Sequence, residues 1–183
     1  MNPMNRRCMQ VVWTLLLGAA LCGHALAQEK HPMIISAENV KSHYTQQLAI
    51  DVDDVTGHQV RVFEFQRLFP VGARPEIDGE KIVEQWSRGF SNYAGGVGPA
   101  WNYTTYITDR GNKIFAQTIG TSDTTARANG SRYGSYHGTQ QFVGGTGHFA
   151  QIRGAFVDVS EFDTDPSTGF SKGTSRGEYW FAQ

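Results

Sequence analysis

Gly145-Thr146-Gly147-His148-Phe149-Ala150 matches, letter by letter, the G-x-G-x-x-[GA] pattern that cradles a dinucleotide pyrophosphate. That chemistry needs a helix start inside a βαβ unit. Gly154 interrupts any helix within a turn and a half, so the match does not indicate a nucleotide. Gly173-Thr174-Ser175-Arg176-Gly177 has the letters of a serine-hydrolase elbow, whose acid and histidine must follow the serine. Here the last histidine is His148, and the segment reads as a turn entering the last strand. Asp163, Asp165 and Ser167 carry oxygens at calcium-loop spacing, but Gly169 falls one place late and no glutamate closes the loop, so a solvated hairpin fits better. Histidines at 31, 43, 58, 137 and 148 form no H-x-H or H-E-x-x-H pair. Neither a metal nor any other cofactor is indicated, and His58 and His137 stay as residues that could line a cavity.

The remaining chemistry-bearing group is a carboxylate within a strand pattern. His58–Phe69 alternates with period two, placing Val60, Val62, Glu64 and Gln66 on one face and Arg61, Phe63, Phe65 and Arg67 on the other. Both faces carry apolar groups, as in a strand that separates two packed compartments. Further strands are expected at Lys81–Tyr93, Trp101–Thr108, Lys113–Ser122, Arg132–Val143, Ala155–Phe162 and Gly177–Ala182. Asp109-Arg110-Gly111-Asn112 is a hairpin turn, and 94–99 and 163–169 are loops by composition. The series predicts an all-β domain, a closed antiparallel β-barrel of about eight strands, because closure removes exposed edges. A β-sandwich is the alternative.

Arg6-Arg7, an apolar run from Val11 to Leu21 and Ala25-Leu26-Ala27 have the order of a secretory signal cleaved after Ala27. The run is too short to span a bilayer, which takes roughly 20 residues. The expected organisation is therefore a signal peptide at 1–27, an N-terminal arm at 28–46 containing a strand or short helix near Ile34–Tyr44, and a barrel domain at 47–183. The exported chain would reside in a periplasm or outside the cell, with no membrane span. Both cysteines, Cys8 and Cys22, lie in the removed segment, which excludes disulfides and thiol chemistry from the remainder. Sixteen basic against seventeen acidic side chains leave no basic surface for a phosphate backbone, so nucleic acid is excluded as a partner.

Two stretches carry a resemblance. Gln141-Phe142-Val143-Gly144-Gly145-Thr146-Gly147-His148-Phe149-Ala150-Gln151-Ile152-Arg153-Gly154 resembles the strand, glycine turn, short helical turn and second glycine of allene oxide cyclase-like barrels, which are similar in architecture to dirigent proteins. Val62-Phe63-Glu64-Phe65-Gln66-Arg67 is similar to the V-Y-E-I-N-E of the first barrel strand in plant allene oxide cyclases. The resemblance implies a catalytic role for Glu64 and places Gln66 where the family holds a water through an asparagine. The serine-proline pair of the plant enzymes has no match, since the chain reads Gly72-Ala73 there. It also implies a cofactor-free barrel that handles an apolar small molecule, lipid-like or aromatic.

On this reading the face of Val60, Val62, Glu64 and Gln66 points inward. Burial would raise the Glu64 pKa and make it a base or a partner for a developing cation, unless it pairs with an interior arginine such as Arg88. Trp86, Tyr103 and Tyr133 would supply the aromatic lining of the pocket. Two functions are expected from different classes: a cofactor-independent isomerase, cyclase or lyase, and a non-catalytic barrel that binds a small molecule or stabilises an envelope partner. Homo-oligomers are compatible with either.

Overall fold

The computed structural model describes residues 28–126, 132–163 and 170–183. Nine strands form among these residues: β1 (His31–Asp51), β2 (Gln59–Leu68), β3 (Glu76–Ile77), β4 (Glu80–Tyr93), β5 (Val97–Thr108), β6 (Lys113–Ala126), β7 (Arg132–Gly145), β8 (Ile152–Asp163) and β9 (Phe170–Phe181). They lie in the order β2-β1-β9-β8-β7-β6-β5-β4-β3, all antiparallel, and a further pairing of β2 with β4 closes the eight long strands into a ring. The two-residue β3 pairs only with the start of β4. No helix among the described residues is long and apolar enough to cross a membrane.

The strand series of the sequence is present with longer members. Val97 already belongs to β5, because Gly95 and Gly96 take positive φ (61° and 94°) and turn the chain within two residues. The turn expected before the last strand is instead part of β9, which starts at Phe170 and carries Gly173–Gly177 within it. Residues 164–169, most of the loop with calcium-like spacing, lie outside the described residues, as do 1–27.

Residues 28–46 are not an arm leading into the domain. From His31 they form the first half of β1, which pairs with β9 through Lys41 and with β2 from there to Asp51. Met33, Ile35, Ala37 and Val40 are all buried. Irregularities between Ala37 and Val40 and between Tyr44 and Gln46 shift the inward positions out of strict alternation, which is why the stretch looks weakly patterned in sequence.

An apolar plug fills one end of the ring. Val40, Ile82, Ile114, Phe149 and Ile152 are wholly buried there, joined by Ile77, Phe142, Phe156 and Tyr179. A short 3₁₀ turn, Gly147–Gln151, inserts Phe149 into this plug. Gly147 begins the turn at φ 58°, and a side chain there would meet the Asn112 amide oxygen at 2.4 Å. Beyond the plug the interior turns polar, with Ser87, Ser91, Thr104, Thr118, Ser122, Gln140, Ser171 and Ser175 buried.

Candidate functional site

Antiparallel partners directly opposite each other share a face of the sheet. Glu64 stands opposite Arg88, Arg88 opposite Tyr103, and Gln66 opposite Trp86. The other face of the same strands, with Arg61, Phe63, Phe65, Arg67, Gln85 and Ser87, lines a cavity of about 110 Å³ inside the ring. Val60, Val62, Glu64, Gln66, Trp86, Arg88, Tyr103 and Tyr133 are thus on the outer surface, and the inward assignment of that face is corrected.

The outer residues have ordinary surface chemistry. Glu64 accepts from the Thr45 hydroxyl at 2.6 Å and from Arg88 Nε at 2.7 Å. The Thr45 bond, followed by the Arg88 charge and hydrogen bond, overcomes partial desolvation and holds the carboxyl below its usual range, the reverse of the expected shift. Gln66 donates to Glu84, the Arg88 guanidinium lies 5.3 Å from the Trp86 ring, and Tyr103 sits 6.2 Å from Phe115. Tyr133 hydrogen-bonds Glu161. Neither candidate histidine lines the cavity: His137 is exposed on β7, and His58 is bonded between Asp54 and Asn92 beside the β1–β2 hairpin.

Sequence alternation did not choose the face because both faces of β2 look half-apolar. Inside, two phenylalanines are interleaved with two arginines because the ring encloses a polar space. Outside, Val62 stands opposite Leu48 and Phe90 in an apolar row. The same ambiguity recurs on β8, where Phe156, Asp158, Ser160 and Phe162 alternate with Ala155, Val157, Val159 and Glu161. Asp158, on the cavity side, carries no local signal of burial in its sequence.

The cavity is built by strand position. Tyr44, Phe63, Phe65 and Phe162 give it aromatic walls, and Arg67, Gln140, Asp158 and Ser171 give it polar surface. Tyr44 packs edge-on against both Phe63 and Phe65, with ring centroids 5.8 and 5.3 Å away. Tyr136 folds back over β6 and β7, where a side chain at Gly138 would lie 2.6 Å from its hydroxyl. The ring needs both this glycine and Gly120 opposite it, where a Cβ would lie 2.7 Å from the ring.

Arg67 organises the polar side of the cavity. Its Nη1 donates to Gln85 (3.1 Å) and its Nη2 to the Ser171 hydroxyl (2.6 Å). From Gln85 the chain of bonds runs on through Ser87, Thr104 and Asn102. Across the ring, the Tyr106 hydroxyl donates to the Gln140 carbonyl at 3.1 Å. Among the described residues, two buried polar atoms of the cavity lining are left without a partner, Arg67 Nε and the Tyr136 hydroxyl.

Among the described residues that line the cavity, Asp158 is the acid. Burial pushes its carboxyl above the usual range, against the opposing influences of the Arg67 charge and a hydrogen bond with Ser175. Burial likewise lowers Arg67 and raises Tyr106 and Tyr136. Among the described residues no ion pair within 4.0 Å joins Arg67 to a carboxylate. The cation is neutralised at a distance only, and its unmet demand is for an acceptor oxygen. No protein-family model matches the chain, and neither a curated protein nor a solved structure was found to match it.

Proposed function

We propose that the protein is an exported, cofactor-independent barrel that takes a small aromatic molecule bearing an acceptor oxygen into its ring and moves a proton on it. The observation that carries this reading is the cavity itself, walled by aromatic rings and containing a buried arginine with no carboxylate in contact. A volume of about 110 Å³ is near the scale, roughly 150 Å³, at which apolar cavities take up benzene. The apolar body of such a ligand would pack on Tyr44, Phe63, Phe65 and Phe162, and its oxygen would meet Arg67. The lining therefore favours an aromatic ligand over a long lipid chain.

Asp158, not Glu64, is the residue suited to proton transfer. A carboxyl with a raised pKa is a better general acid near neutrality than an ordinary one, and a stronger base when ionised. Arg67 would hold negative charge developing on the ligand oxygen while Asp158 takes a proton from the ligand and returns it elsewhere. This is the chemistry of an isomerase, a cyclase or a lyase. The likeness to allene oxide cyclase-like barrels is part of this proposal only as architecture, since the acid proposed here stands on a different strand from Glu64.

The test uses benzoate and cinnamate as probes, followed by thermal shift and calorimetry. Both should raise the melting temperature of the wild-type protein, and Arg67→Met should remove the shift for these anions. Asp158→Asn should retain binding and abolish turnover of any compound that a metabolite screen shows to be converted. Unaltered binding in Arg67→Met would overturn the site. A bound compound that returns unchanged from wild-type protein would leave the non-catalytic binding barrel as the function.

A further inference from the structure

The outer surface carries an apolar row that the interior site does not use. Leu48 stands opposite Val62, Val62 opposite Phe90, Phe90 opposite Trp101, and Trp101 opposite Ile119, so one line of side chains crosses five neighbouring strands. Leu48 is 63% exposed, Val62 58%, Phe90 50% and Ile119 61%. The Phe90 and Trp101 rings stack with centroids 5.9 Å apart at the middle of the row. Such cross-strand pairs normally form against a covering layer, and none of the described residues covers this one.

The chemistry of the row narrows its occupant. The next tier on one side contains the Glu64–Arg88 ion pair, and on the other Ile50 and Val60 give way to Asn92. A lipid-facing band on a barrel is about 25 Å tall, so charges one tier away exclude a membrane-spanning role. The closed ring has no free edge for strand addition, which leaves face-to-face packing. With Ile50, 60% exposed beside Leu48 and Val62, the patch offers roughly 500 Å² of apolar surface. That is the upper range for a monomer and more than half of the approximately 800 Å² per partner in a standard interface.

We infer that this row is a self-association surface, on which a second copy of the chain docks with Phe90 and Trp101 near the symmetry axis. A two-fold contact brings the same patch to itself and therefore requires self-complementarity. The apolar line meets that requirement, and the charges of the adjacent tier, Glu64 and Arg88, are already paired within each copy, so they meet the contact as neutral pairs rather than as like charges. The row bends around the ring, and two convex surfaces touch over only a few strands. The contact is thus centred on β2, β4 and β5, while Val157 on β8, also 58% exposed, lies outside it.

The experiment is light scattering coupled to size exclusion on purified protein, across a hundredfold range of concentration. Wild-type protein should elute with twice the mass of one chain or a higher multiple. Phe90→Arg and Ile119→Arg should shift it to one chain, with circular dichroism and melting of the isolated chain retained, and Val157→Arg should leave the mass unchanged. A wild-type protein with the mass of one chain throughout would overturn the inference, the more so if it floats with phosphatidylglycerol vesicles. Retention of the higher mass in both Phe90→Arg and Ile119→Arg would overturn it as well. None of these readouts depends on the cavity or its ligand.

Discussion

At the residue scale, Asp158 and Glu64 show how position in the ring decides what a carboxylate can do. Glu64 meets a hydroxyl and a guanidinium on the surface and stays ionised, whereas Asp158 is desolvated and its distant arginine compensates only in part. The consequence for stability has a definite sign. A carboxyl whose folded pKa is raised binds more protons in the native state, so stability is lost as pH rises from the unfolded value of 3.8 through the higher folded value. Comparing wild type with Asp158→Asn isolates that one group. The stability of the wild type relative to the variant should fall steadily from about pH 4 upward until Asp158 is fully ionised. Denaturant melts at half-unit pH steps measure it, and a constant difference would show that Asp158 titrates as a surface carboxyl. Glu64→Gln should leave probe binding unchanged, and because the Glu64 carboxyl is lowered its own profile should run the other way, the stability it contributes being lost as pH falls through the folded pKa.

Elements were legible in the sequence wherever turn chemistry punctuated them. Gly111 (φ 82°) closes the β5–β6 hairpin at Asp109–Asn112 as its composition indicates, whereas β7 runs two residues past the expected end at Val143, through Gly144 and Gly145. Strand lengths were underestimated where a strand continues through residues of low β propensity, as in Gly173–Gly177, because cross-strand packing overrides propensity. The site was legible only in part: β2 was recognised as its wall, but the choice of face depends on what the other seven strands enclose. The Gly147 turn offers a test at this scale. Its backbone is left-handed and its Cβ position is blocked by Asn112, so Gly147→Val is strained twice over. The variant should lose about 1–3 kcal/mol of unfolding free energy, since the turn also inserts Phe149 into the plug. Chemical denaturation reads the loss directly, and an unchanged midpoint would mean that the turn does not hold the plug in place.

For the whole molecule, closure is the property on which cavity, plug and outer row all depend, and β1 is the strand that completes it. It stands between β9 and β2, using its first half for one neighbour and its second half for the other. Removing residues 28–46 would therefore leave β9 without a partner on one side and take Met33, Ile35, Ala37 and Val40 out of the plug. Four buried apolar side chains at about 1.5–3 kcal/mol for each of the larger ones approach the 5–15 kcal/mol that holds an ordinary domain together. A chain beginning at Gln47 should accordingly show no cooperative melt, whereas one beginning at Gln28 should melt as a single transition. The same geometry bears on the proposed export. Cleavage after Ala27 leaves Gln28–Lys30 ahead of the first strand residue, His31, so the mature end spares every strand pairing. Intact-mass measurement on exported protein should give a chain starting at Gln28. A mature end inside 32–46 in stable, cooperatively folded protein would show that the first half of β1 is dispensable and that the ring can be held shut without it.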